Sequence, residues 1–323
     1  MSIEKIKAVM IGHAVGDALG VPVEFCSREE LDENPVTDME GFGTYPYPAG
    51  TWSDDTSMSL AALDVLKNDE IKWGEIMLNF GAWLYDDKYT ATGETFDAGT
   101  TCVKAIENYF IGNQKPLECG CDDERANGNG SLMRIHPFVL YATLTLLNGT
   151  EEGYFLWLAC IRNASMLTHA HPRSIMGCYI YGYCLSFLLK EPTKESLIAG
   201  IKFAEKDLDY LPEFERYKRI FDENFASLKR EEIKSTGYIV DTLEAALWCL
   251  LNTNSYEECV LTAVNLGGDT DTVAAVAGSL AGALYGYDGI LEKWKEKLIN
   301  IGYIEAMCEE AYAKWQKKTQ TKL

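Results

Sequence analysis

Gly267-Gly268-Asp269-Thr270-Asp271-Thr272 leads, through Val273, into a stretch from Ala274 to Ala283 in which eight of ten residues are Ala, Gly or Ser. Two glycines permit a tight turn with unhindered backbone, and small side chains let neighbouring helices approach closely. The segment therefore reads as the entry to a close-packed helix in a helical protein. Capping by itself explains an acid at such an entry, because it satisfies free N–H groups and complements the helix dipole. It does not explain two acids and two hydroxyls crowded at one end.

Working outward, the apolar residues recur at helical spacing. Ile3, Ile6, Met10, Ala14 and Ala18 repeat at three and four residues, as do Met58, Ala61, Ala62, Val65 and Leu66, and Val240, Leu243, Leu247 and Leu250. Further helices are expected near 71–86, 99–110, 132–147, 152–167, 173–190, 194–207, 213–228, 255–265, 272–285 and 289–316, and no useful run alternates as a strand would. Glycine and proline gather at 35–50, 112–130 and 266–268, which read as loops, the first two long enough to be functional. With no linker composition and no internal repeat, residues 1–323 are expected to form one all-α domain.

A second acidic segment, Gly50-Thr51-Trp52-Ser53-Asp54-Asp55-Thr56, precedes the helix pattern that starts at Met58. Ser53 or Asp54 makes an ordinary N-cap, yet that leaves a neighbouring carboxylate repelled unless a cation is present. Together the two segments offer four carboxylates and several hydroxyls, with no histidine or thiol among them. Such hard oxygen donors suit Mg²⁺ or Mn²⁺ better than zinc or copper, and four negative charges balance two divalent ions. The clusters lie far apart in sequence, so their meeting is an expectation about the fold.

Composition narrows the class of partner. The chain carries 29 Lys plus Arg against 49 Asp plus Glu, a net charge of −20, and no basic run that could grip a phosphate backbone. Neither a nucleic acid nor an anionic membrane is expected. The ten cysteines have no paired framework and no CxxC, so they are read as reduced thiols. Charged residues interrupt the first segment, which is therefore not read as a signal peptide, and a cytoplasmic protein is expected. A monomer is the simplest expectation, with the oligomeric state left open.

Five segments, in order, resemble the ADP-ribosylglycohydrolase family: Gly12-His13-Ala14-Val15-Gly16-Asp17-Ala18-Leu19-Gly20-Val21-Pro22-Val23-Glu24-Phe25, Trp52 to Thr56, Asn127-Gly128-Asn129-Gly130-Ser131-Leu132-Met133-Arg134, Thr168-His169, and Gly267 to Thr272. The two acidic clusters and the segment with Met133 and Arg134 are specific in combination. The resemblance implies an orthogonal multi-helix domain with two Mg²⁺ or Mn²⁺ ions in a central cleft. Ser53, Asp54 and Asp55 match one ligand group, and Asp269, Asp271 and Thr272 the other. Ser53 stands where the family usually has threonine, which retains the hydroxyl.

The activity so implied is hydrolysis of an N- or O-glycosidic bond at the distal ribose of ADP-ribose, on a modified protein or small molecule, with metals orienting the ribose diol and activating water. Arginine is the favoured acceptor because the match is nearest the bacterial branch. Glu24 and Asp97 match acids that serve as acid or base; Asp97 reads equally as the N-cap of the helix near Gly99. Gly99, Thr100, Thr101, Gly128, Asn129, Gly130 and Ser131 match substrate-contacting loops, whose backbone N–H groups can bind a pyrophosphate without a basic cluster. His169 matches a ligand contact, whereas Arg134 is read as a structural bridge between buried carboxylates and Trp52 as a buttress of the first acidic loop. Three alternatives remain: a hydrolase of O-ADP-ribosyl-serine or another ADP-ribose conjugate, a noncatalytic ADP-ribose binder, and a two-metal phosphoesterase releasing AMP or phosphate.

Overall fold

The computed structural model describes residues 1–68 and 70–320. Among these, fifteen α-helices follow one another. They are α1 (Ile3–Gly20), α2 (Arg28–Glu33), α3 (Asp54–Leu66), α4 (Trp73–Asp86), α5 (Thr100–Phe110), α6 (His136–Thr145), α7 (Glu151–Met166), α8 (Pro172–Lys190), α9 (Lys194–Leu208), α10 (Phe214–Tyr217), α11 (Ile239–Asn252), α12 (Tyr256–Val264), α13 (Thr270–Tyr285), α14 (Glu292–Lys297) and α15 (Ile301–Gln320). No strand is present among the described residues, only isolated bridges such as Cys121 with His169.

α1 and α13 form the centre. A Cβ at Gly16 would lie 2.1 Å from the Ala274 carbonyl oxygen, one at Gly12 2.5 Å from that of Gly278, and one at Gly282 2.0 Å from that of Ala8. Glycine is thus required for the two backbones to come this close. Around the pair stand α3, α8, α11, α12 and α15. By length and apolarity alone α1 could cross a bilayer, yet here it is enclosed by the protein core.

The periodic residues of α1 and α3 suggested a single apolar stripe, but nearly every side of both helices is buried. α3 is packed by α1, α4, α6 and α15 at once, so it has almost no solvent face. Two expected helices are broken. The 213–228 stretch is α10 followed by short 3₁₀ turns, where the Asn224 N–H donates to the Asp222 carboxylate at 2.7 Å in competition with helical bonding. The 289–316 stretch divides at Asn300, whose φ is +59°. There the Ile299 N–H donates to the Gly50 carbonyl at 3.0 Å and the Trp52 indole donates to the Ile299 carbonyl at 2.9 Å. The break therefore fastens the loop that enters α3. The expected helix at 132–147 is shorter, beginning at His136, and α2 was missed despite its Ser27–Glu30 capping box.

All ten cysteines are unpaired, and nine of them are buried.

Candidate active site

The close approach of α1 and α13 puts Asp17, in the last turn of α1, beside Asp271, in the first turn of α13. Asp17 also ties α3 to this pair. Its carboxylate accepts from the Ser53 N–H at 2.9 Å, the Thr56 N–H at 3.1 Å and the Thr56 hydroxyl at 2.6 Å. An acid on one helix thereby satisfies the N-terminus of another. The Ser53 hydroxyl, at the N-cap, accepts a long contact of 3.4 Å from the Asp55 N–H.

The two acidic segments do meet. Asp17, Asp55 and Asp271 each present an oxygen such that the three lie within 4.8 Å of one another, and so do Glu24, Asp97 and Asp271. Asp271 belongs to both groups. Both oxygens of Asp55 and both of Asp271 are buried without a hydrogen-bond partner among the described residues, as are one of Glu24 and one of Asp269. Burial, reinforced by neighbouring carboxylates, pushes Asp54, Asp55 and Asp271 well above the usual carboxylate range. Unpaired buried charge of this density is strongly unfavourable unless protons or cations neutralise it. Oxygen donors grouped at this spacing fit hard divalent cations.

Above these acids opens a cleft of about 210 Å³. Glu24, Asp54, Asp97, Asp269 and Thr272 line it, together with Gly99–Thr101, Gly128–Gly130, Met133 and His169. Of the residues singled out in the sequence, Ser131 has its side chain turned away: its hydroxyl meets Cys178 Sγ at 3.5 Å and Ser165 Oγ at 3.1 Å, behind the cleft wall. Asn129 donates from Nδ2 to the Asp269 carboxylate at 2.8 Å and to the Thr242 hydroxyl at 3.0 Å, so it orients an acid.

Glu24 is aimed by its backbone neighbours. The Phe25 N–H donates to the Gly268 carbonyl at 2.7 Å and the Gly268 N–H to the Cys26 carbonyl at 2.8 Å. This reciprocal pair joins the end of the first segment to the Gly267-Gly268 turn. Asp97 does not cap α5; Gly99 occupies that position and supplies no side chain. Instead Asp97 adopts φ +54°, a conformation unfavourable for a residue with a Cβ, and strain of that kind concentrates at functional sites. Phe96 packs against the rings of Tyr45 and Tyr47 at 4.9 and 4.6 Å and so supports the loop. Tyr45 lies against the Glu24 and Asp97 carboxylates, and burial raises the pKa of both acids.

Sequence reasoning passed over Asp17 and Tyr45. Asp17 carried a signal, an acid within an apolar helix and flanked by the glycines Gly16 and Gly20. Tyr45 carried none beyond its place in a long loop. Arg134 corrects the expected role: among the described residues it bridges no carboxylates. Its guanidinium donates to the Ala164 carbonyl at 3.2 and 3.1 Å and to the Thr168 hydroxyl at 2.7 Å, and lies 4.9 Å from the centre of the Phe80 ring. Trp52 holds the loop before α3, as described above.

The sequence model of the ADP-ribosylglycohydrolase family matches residues 2–321. An ADP-ribosylarginine hydrolase Tri1 of Serratia proteamaculans (strain 568) is 31% identical over 322 residues, which is 96% of this chain and 80% of that relative. The ADP-ribosyl-dinitrogen reductase glycohydrolase of Rhodospirillum rubrum is 30% identical over 298 residues, 91% of this chain and 90% of the other. A solved structure described as an ADP-ribosylglycohydrolase-related protein complex aligns with a TM-score of 0.80 at 30% identity, covering 97% of this chain and 98% of its counterpart.

Proposed function

Since the chain belongs to the ADP-ribosylglycohydrolase family, we propose that it cleaves the N-glycosidic bond between ADP-ribose and an arginine side chain with the help of two Mg²⁺ or Mn²⁺ ions. Asp271 carries the metal part of this reading, because among the described residues it alone joins both three-carboxylate groups and has both oxygens buried without partners. Ser53, Asp54, Asp55, Asp269, Asp271 and Thr272 are the proposed holders of the ions, now with Asp17 added. When bound, such ions orient sugar hydroxyls and lower the pKa of water.

The chain's own residues supply the rest. Glu24 and Asp97 face each other beneath the Tyr45 hydroxyl, and burial disfavours charging both at once. One proton between two such carboxylates divides the labour of acid and base: a proton goes to the departing guanidine nitrogen, and another is taken from the attacking water. Thr100 and Thr101 open α5 behind Gly99 with no side-chain cap, so their N–H groups are available to phosphate oxygens. The acceptor assignment is supported by the similarity to ADP-ribosylarginine hydrolases.

A substrate panel tests the proposal. ADP-ribosyl-arginine, ADP-ribosyl-serine and poly(ADP-ribose) are incubated with the protein, and products are resolved by chromatography. Free ADP-ribose is expected from the arginine conjugate, to disappear with a chelator and return with Mn²⁺. Full turnover after chelation would sink the metal role, release from the serine conjugate alone would move the assignment to an O-glycosidic bond, and AMP as product would indicate a phosphoesterase.

A further inference from the structure

His169 lines the cleft with a ring that cannot shift freely. A Cβ on Gly130 would lie 2.9 Å from its Cε1 atom, so the glycine is there to admit the imidazole. The backbone is tied as well, with the His169 N–H donating to the Ser165 carbonyl at 2.8 Å and the Ser165 hydroxyl donating to the His169 carbonyl at 2.9 Å. Behind the ring, the Thr168 hydroxyl lies 2.8 Å from Nδ1, and Arg134 lies 2.7 Å behind that hydroxyl.

We propose that Arg134 and Thr168 are positioning residues that hold His169 as the Nε2–H tautomer, a neutral hydrogen-bond donor facing an oxygen of the bound ADP-ribose. The tautomer follows from proton inventory. A guanidinium has donors only, so Thr168 must accept from Arg134. Its single hydroxyl proton then goes to Nδ1, the best acceptor in reach; the sulfur of Cys102 is the competing neighbour and a much weaker one. Electrostatics act in the same direction. Among the described residues no carboxylate forms an ion pair with Arg134, so its charge favours the tautomer whose lone pair faces the Thr168 hydroxyl. The remaining N–H is left for the cleft.

Burial, assisted by Arg134, lowers the His169 pKa to about 3. The imidazole is therefore uncharged at neutral pH and acts as a donor, with no proton to give as an acid. Identifying the acceptor as ADP-ribose rests on the function proposed above, but the tautomer does not.

Nitrogen-15 NMR of histidine-labelled, ligand-free protein reads the tautomer directly, and His169→Gln assigns its signals among the four histidines. The Nε2–H form is expected in the wild type and in Thr168→Ser, with a mixture in Thr168→Val. ADP-ribose affinity is expected to fall about tenfold in Thr168→Val and to recover in Thr168→Ser, as for loss and return of one hydrogen bond in the site. An Nδ1–H wild type overturns the proposal without recourse to any variant, and so does an unaltered Nε2–H signal in Thr168→Val. An Nε2–H wild type that fails to bind ADP-ribose would uphold the relay and remove the ligand assigned to it.

Discussion

Replacing Asp271 with asparagine should make the metal-free protein more stable and the metal-loaded protein less so. In the absence of cations, Asp271 places a carboxylate with two unpartnered oxygens among Asp17, Asp55, Glu24 and Asp97. Asparagine is close to isosteric, carries no charge and gains an NH₂ group that can donate to those acids. Removing the cost of burying this acid, whether as a charge or as the proton uptake that neutralises it, is worth roughly 2 kcal/mol. For 323 residues the unfolding entropy, at about 2.1 cal/mol/K per residue, comes to ~0.7 kcal/mol/K, so the apo variant should melt ~3 °C above the apo wild type. Mn²⁺ at a hundred times its dissociation constant stabilises a one-site protein by about 2.7 kcal/mol, or ~4 °C per ion here. The wild type should therefore overtake the variant as Mn²⁺ is added, because Asp271 serves both carboxylate groups. Thermal unfolding followed by circular dichroism, in chelator and across a Mn²⁺ titration, measures both effects. An apo variant that melts below the apo wild type, or one that gains as much from Mn²⁺, would refute the reasoning.

The central helix contact offers a second test: Gly16→Ala puts a methyl group 2.1 Å from the Ala274 carbonyl. It should lower stability by about 1–3 kcal/mol and weaken Mn²⁺ binding by moving Asp17 from Asp271, both read in the same melts. Glu24→Gln and Asp97→Asn should each lower kcat by a factor on the order of 10²–10⁴ with KM much less affected, and steady-state kinetics on ADP-ribosyl-arginine shows whether affinity falls instead. Burial lowers the pKa of His13 to about 4 and of His169 to about 3. A lowered folded-state value makes stability full above the unfolded pKa near 6.5 and draws it down as pH falls, by up to about 1.4 kcal/mol per pH unit for each histidine. The raised carboxylates act oppositely, so the comparison is between proteins that share them: urea unfolding at pH 7 and pH 5 should show a smaller acid loss in His169→Gln than in the wild type, and equal losses would refute the shift.

Most of the helices were legible from apolar spacing, since a helix needs only its own residues to place a side chain every three or four positions. The failures have particular causes. The stretch at 289–316 reads as one helix until the loop at Gly50–Trp52 is laid across it and takes the hydrogen bonds at Ile299. Arg134 looked like a partner for carboxylates because such partners are the usual company of a buried guanidinium; in the fold it meets a carbonyl, a hydroxyl and an aromatic ring. Asp97 offered two readings of equal standing, and the position of Gly99 at the N-cap decides against the capping one.

By itself the sequence determined the helical class, the two acidic helix entries with their hard oxygen donors, and the glycines that allow close approach. Each of these is a property of neighbouring residues. Tertiary structure alone decided which carboxylates share a site, making Asp271 common to two groups and bringing in Asp17 and Tyr45. It also turned Ser131 away from the cleft and set Arg134 behind His169. Those outcomes depend on how near α1 comes to α13 and on which loop crosses which helix. Spacing along a chain carries no distance between segments hundreds of residues apart, and charge coupling and hydrogen-bond direction exist only once that distance is fixed.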